Sequence, residues 1–218
     1  MKPPADPSRK TLPMTRLRHH LGTAAALTAL VTAGCSHEPA TTAPLTAPVD
    51  LRAAPEGVSW TDYHGIKLPA GADGPRENRE VATGFAHTPA GAALAAIVHT
   101  VHMSIAPNAS WPAVAHAEIA PTGRDDLVVS RGLLSVDTPA NPVAAPRIRG
   151  YTITDWQPSN ATVRIYTSFP DQSIAVNKAT VVWQGGDWLL RLPDPASTER
   201  VVVSTDRLDP VVRLEAPQ

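Results

Sequence analysis

The chain has 218 residues, 43% of them hydrophobic and 18% charged, with a formal net charge of −1. Residues 1–34 carry Lys2, Arg9, Lys10, Arg16 and Arg18 against Asp6, a net of +4, so the remainder from Cys35 stands at −5. That length holds one ordinary domain plus a leader. An acidic domain is a poor phosphate binder, which sets nucleic acid aside as a partner, and a lone cysteine excludes an intrachain disulfide.

The N-terminus reads as an export signal. The cationic segment Arg16-Leu17-Arg18-His19-His20 precedes an apolar run from Leu21 to Val31, followed by the small residues Ala33 and Gly34. These are the n-region, h-region and cleavage site of a secretory leader. The 11-residue run is too short to span a bilayer, which needs about 20 residues. Val31-Thr32-Ala33-Gly34-Cys35 resembles the lipobox of bacterial lipoproteins. The resemblance implies a signal peptide over 1–34, lipid (palmitate) attachment at Cys35, and residence on the outer face of the cytoplasmic membrane. A start at Met14 would make a more regular leader than residues 1–13, which hold four of the prolines.

Residues 35–57 are rich in Pro, Ala and Thr. Such a segment cannot bury enough apolar surface to offset its ordering entropy, and it reads as an extended tether. A single domain is then expected over 58–218. Trp60, Tyr63 and Ile66 anchor its opening, and the turn-rich residues 71–83 suggest an irregular arm.

The clearest helix follows. Thr88 is a good N-cap and Pro89 suits the first helical position. Leu94, Ile97, Val98, Val101 and Ile105 repeat at helical spacing, and Pro107 ends the run. Small residues fill its first half, which would let another element approach closely. A second helix is expected after Asn108 or Ser110, with Trp111, Val114, Ala115 and Ile119 inward. Residues 124–135 fit either a short helix or a strand, with helix favoured.

The second half reads as β-structure. Residues 147–156 and 160–169 are rich in Thr, Ile, Val and Tyr, and Val163, Ile165, Thr167 and Phe169 alternate with polar or amphipathic neighbours. Residues 173–183 and 187–192 form the sharpest hairpin, turned by Gly185-Gly186, which accept the positive φ of a tight turn. The run 201–203, three valines, adds a strand or a packed tail. The expected fold is α+β, with two or three helices packed on a bent antiparallel sheet of about four strands.

The closing hairpin Thr-Val-Val-Trp-Gln-Gly-Gly-Asp-Trp-Leu-Leu-Arg-Leu (180–192) after these helices resembles the nuclear-transport-factor-2-like (cystatin-like) cone. More narrowly, Trp60, Tyr63-His64-Gly65-Ile66, Leu68-Pro69, Gly74-Pro75 and Gly84-Phe85-Ala86-His87-Thr88-Pro89-Ala90-Gly91-Ala92 resemble a family of actinobacterial exported proteins. Members are associated with integrative or conjugative elements, and their domain is similar to the periplasmic scaffold subunit of type IV secretion machines. Few lysines beside many Ala, Pro and Arg also fit a high-GC genome. The resemblance implies an envelope protein partner, membrane attachment through the lipid, and a non-enzymatic role.

No P-loop, Gly-x-Ser-x-Gly, Gly-x-Gly-x-x-Gly or His-Glu-x-x-His occurs, so no cofactor and no catalytic residue is assigned. His99 and His102 lie three apart on the first helix, but the helical wheel leaves His99 mostly exposed and His102 at the edge of the apolar face. With no acid beside them on that helix, they read as surface histidines rather than metal ligands. His87 reads as a support of the helix entry, while His64 and His116 have no evident partner. Tyr151 and Asp155 share a face of the first long strand, with Tyr166 on the next, so a cone interior lined by them would make a pocket or an acid–base site. Trp156, Trp183 and Trp188 read first as core, and otherwise as a partner surface.

Overall fold

The computed structural model describes residues 48–141 and 143–216. The expected leader, Cys35 and the first part of the expected tether lie outside the described residues. Among the described residues no helix is long and apolar enough to cross a membrane.

Thirteen elements follow in order: β1 (Ser59–Tyr63), β2 (Ile66–Ala70), β3 (Glu77–Asn78), β4 (Ala82–Thr83), α1 (Pro89–Ile105), α2 (Trp111–Glu118), α3 (Arg124–Arg131), β5 (Arg147–Gln157), β6 (Asn160–Ser168), β7 (Ile174–Gln184), β8 (Asp187–Arg191), β9 (Val202–Thr205) and β10 (Val212–Arg213). Three helices and a mainly antiparallel sheet make the domain α+β. The sheet has six strands rather than about four, in the order β10-β5-β6-β7-β8, with β9 on the same edge of β7 as β8. The long β7 accommodates both: β8 pairs with residues 180–184 and β9 with residues 174–177. The opening of the domain is more regular than its turn residues suggest, because β1 and β2 form a hairpin and β3 and β4 pair as two-residue strands.

Helix α1 begins as its sequence dictates. The Thr88 hydroxyl accepts the Gly91 N–H at 3.0 Å and donates to Asp73 Oδ1 at 2.7 Å. Its neighbours are β5 to β8 and also β2 and α2, so residues 90–99 are buried on every side. This is why small residues fill its first half. A Cβ at Gly91 would lie 2.1 Å from the Ala86 carbonyl oxygen. Leu94, Ile97 and Val98 lie in the core with Leu68, Val114, Ile119, Val163, Val181 and Trp188.

Two register shifts in β5 matter for the site. Pairing with β6 jumps between Ile148 and Gly150 and again between Ile153 and Asp155. Each jump places an extra residue in β5, and a one-residue insertion reverses the facing of everything beyond it.

Candidate functional site

The second of those bulges separates Tyr151 from Asp155. Tyr151 and Ile153 point into the core, Asp155 is exposed, and Trp156 turns back inward opposite Ala161. Tyr166 is also buried but lies outside the main core, on the sheet face where the Arg164 guanidinium sits 5.8 Å from its ring. The three residues expected to line one pocket therefore occupy three different environments, and the expected shared face does not exist. Burial pushes the Tyr151 phenol up, with the charge of Asp73 acting in the same direction.

The tryptophans do come together. Trp188 is fully buried and packs against Trp183 at 5.3 Å and Trp156 at 5.6 Å between ring centroids. Trp183 lies directly opposite Trp188 across the hairpin, and both Trp156 and Trp183 are half-buried. Around this cluster the two sequence motifs interlock. Asp187 accepts the Gly84 N–H at 2.6 Å and the Phe85 N–H at 3.0 Å, and Trp188 Nε1–H donates to the Ala86 carbonyl at 2.9 Å. His87 lies flat on Trp183 with 4.0 Å between ring centroids, and its Nε2 bonds the Pro158 carbonyl. Its role is thus to join the helix entry to two strand turns, a longer reach than capping α1 alone.

The largest correction concerns His99 and His102. Both are buried, 1% and 0% exposed, so neither is a surface histidine. The wheel argument fails because the side of α1 that carries them is covered by Glu118 of α2, the Trp188 carbonyl of β8 and the Tyr63 ring. Their partner comes from α2: Glu118 Oε2 stands 2.8 Å from His99 Nδ1, and Glu118 Oε1 stands 2.8 Å from His102 Nδ1. Oε1 also accepts the Ala82 N–H at 2.7 Å.

Proton positions follow from the partners. His99 Nε2 faces the Trp188 carbonyl at 2.9 Å and its Nδ1 faces a carboxylate, so both ring nitrogens face acceptors and both carry hydrogen. His99 is then an imidazolium paired with the Glu118 carboxylate. His102 donates from Nδ1 to the same carboxylate, and its Nε2 has no partner among the described residues. Burial alone would raise the Glu118 carboxyl, but the hydrogen bonds from His102 and His99 and their charge outweigh it and hold it at about 2. Tyr63 stacks on His102 with 3.7 Å between centroids, and Phe85 meets the His99 ring edge-on at 5.1 Å.

This geometry does not cradle a metal. Both Nδ1 atoms spend their direction on one carboxylate, and among the described residues no group of three or more His, Cys, Asp or Glu could hold an ion. A groove of about 650 Å³ lies where Met103, Leu190 and Leu192 meet Lys178, Glu199 and Val201. It is bridged by Lys178 Nζ, 2.7 and 2.8 Å from the two Glu199 carboxylate oxygens.

Sequence reasoning missed Glu118 and Asp187. A signal for Glu118 was present: Trp111, Val114, Ala115 and Glu118 follow the i, i+3, i+4, i+7 stripe of one helix face. A carboxylate on an otherwise apolar stripe asks for a buried cation. Asp187 has no comparable pattern around it.

A family model described as a domain of unknown function (DUF8175) matches residues 22–210, and the chain belongs to that family. No curated protein and no solved structure matches the chain.

Proposed function

We propose that this member of the DUF8175 family is an exported protein, lipid-anchored at Cys35, that binds another protein at the cell envelope and performs no chemistry of its own. Its setting is a conjugation or type IV secretion system, in which it serves as an accessory or scaffold. Its α+β domain is of the nuclear-transport-factor-2-like, cystatin-like cone type, with α1 lying in the concavity of the sheet.

The observation that carries the non-enzymatic reading is the filled interior. Leu94, Ile97 and Trp188 are buried in the core where α1 meets the sheet, and the His99–Glu118–His102 network between α1 and α2 is buried as well. These side chains occupy the place where a pocket inside the cone would open. The anchor reading is supported by the basic flank, apolar run and small residues before Cys35, and by a family span that begins within the apolar run, at residue 22, and takes in Cys35. The interlocked motifs support a structural use for the residues that carry the family resemblance.

The rival reading, a small-ligand carrier or an acid–base enzyme working through Asp155 and Tyr151, needs those residues in one pocket with Tyr166. Their separation by the β5 bulge removes that support. Cross-linking on intact cells followed by retrieval of this chain tests the proposal. Recovery of a specific envelope protein is expected, and retrieval of the chain with a bound small molecule and no protein would overturn it.

A further inference from the structure

The strand β9 presents an unpaired apolar edge. Val202 and Val203 are 51% and 41% exposed, and Val201 just before them 39%. On one side β9 pairs with β7, while no described strand pairs with its other side. Such an edge is a template for another strand, and natural sheets ordinarily blunt it with charge, proline or a bulge. Here residues 201–205 carry none of these.

Main-chain directions can be read from the ladder. The Lys178 N–H donates to the Val201 carbonyl at 2.7 Å, in the same register that pairs Val176 with Val203 and Ile174 with Thr205. Antiparallel bonds alternate by residue, so Val201, Val203 and Thr205 turn their main-chain groups to β7. Val202 and Ser204 turn theirs to the open edge.

The flanking charges select the partner. The segment reads Glu199-Arg200-Val201-Val202-Val203-Ser204-Thr205-Asp206-Arg207. Laid antiparallel on itself about Val203, it places Arg200 opposite Asp206 and Glu199 opposite Arg207, with Val202 opposite Ser204. That register also joins the two residues whose main-chain groups face outward, so hydrogen bonding and charge agree on one alignment. A one-residue slip would set an outward-facing residue against an inward-facing one. Arg200 and Asp206 make no ion pair among the described residues, so both are available to a partner.

We infer that two copies of this chain associate through β9, antiparallel and two-fold symmetric about Val203, so that the sheet continues across the pair. The interface is isologous, each residue meeting its complement twice. It buries the exposed valines of both copies and satisfies the open edge. The inference is independent of what the protein binds at the envelope.

The full-length chain with Val203→Cys tests it, with wild type as the control for Cys35 and Val129→Cys as a control at an exposed site on α3. Residues facing each other in a non-hydrogen-bonded pair have Cα atoms about 4.5 Å apart, close enough for a disulfide. The Val203→Cys chain should form a covalent dimer on intact cells and the controls should not. Arg200→Asp or Asp206→Arg alone should each weaken dimerisation about tenfold, because two symmetry-related pairs turn repulsive. The double variant should restore it. Val202→Pro, which removes an N–H facing the open edge and leaves the ladder to β7 intact, should abolish it. The inference is overturned if the full-length chain sediments as a monomer at about 100 μM, where even micromolar affinity would populate a dimer. It is equally overturned if a dimer forms that ignores the charge swap.

Discussion

His99 and Glu118 form a buried ion pair, with Nδ1 and Oε2 2.8 Å apart and neither side chain more than 1% exposed. The carboxylate is shared with His102, and it also takes the main-chain N–H of Ala82 in β4. One side chain on α2 therefore ties α1 to a strand that precedes it. The imidazolium extends the tie to β8 through the Trp188 carbonyl. Removing one member of such a set leaves the others desolvated and unmatched.

Glu118→Gln keeps the size of the side chain and removes its charge, which strands the His99 imidazolium in the core. Breaking a buried pair in this way costs about 3–5 kcal/mol. Urea unfolding of the variant against wild type should show a correspondingly lower midpoint with an unchanged slope.

The same carboxylate sets an acid limit. Its folded value of about 2 lies below the ordinary 4.5, so the folded state takes up this proton later than the unfolded chain does. The contribution is present above pH 4.5 and is lost as pH falls from there toward 2. Thermal midpoints recorded down this range should fall for wild type. In Glu118→Gln the part of the fall due to this group should be missing.

Asp187 holds the two motif segments together through the N–H groups of Gly84 and Phe85 and also caps its own neighbour Trp188 at 2.9 Å. Asp187→Asn retains one acceptor oxygen and points an amide N–H at a main-chain donor. A loss of about 1–3 kcal/mol is expected. Near-ultraviolet circular dichroism should change as well, because Trp188 and Trp183 lose their fixed packing.

Gly91→Ala sets two effects in opposition. Helix propensity would favour alanine by about 1 kcal/mol, but the new Cβ would stand 2.1 Å from the Ala86 carbonyl oxygen. Main chain cannot yield at that distance without displacing the helix entry, so the clash wins. The thermal midpoint of the variant should drop, and a rise would show that the segment 84–89 is not seated against α1.

Local signals in the sequence were sufficient for most elements. Thr88 and Pro89 marked the start of α1, period-two alternation marked β6, and Gly185-Gly186 marked the hairpin, where φ is 66° and 88°. The short helix α3 also appears where helix was favoured over strand. What escaped depended on distance along the chain. A helical wheel assumes one wet face, and α1 loses that face only because β2 and α2 cover it. The acid that meets His99 sits 19 residues away on another helix. The bulge before Asp155 adds one residue to β5, which is enough to reverse its facing and dissolve a pocket that strict alternation implies. The short β10 pairs only through Val212 and Arg213, too brief a run to stand out in the sequence.

The proposed role at the envelope depends on the protein being held there through Cys35, and cell fractionation with labelled palmitate tests that dependence most directly. Wild type is expected in the membrane fraction, carrying label, on the outer face. Cys35→Ala is expected without label, released from the membrane. Unlabelled wild-type protein recovered from the cytosol would contradict the account.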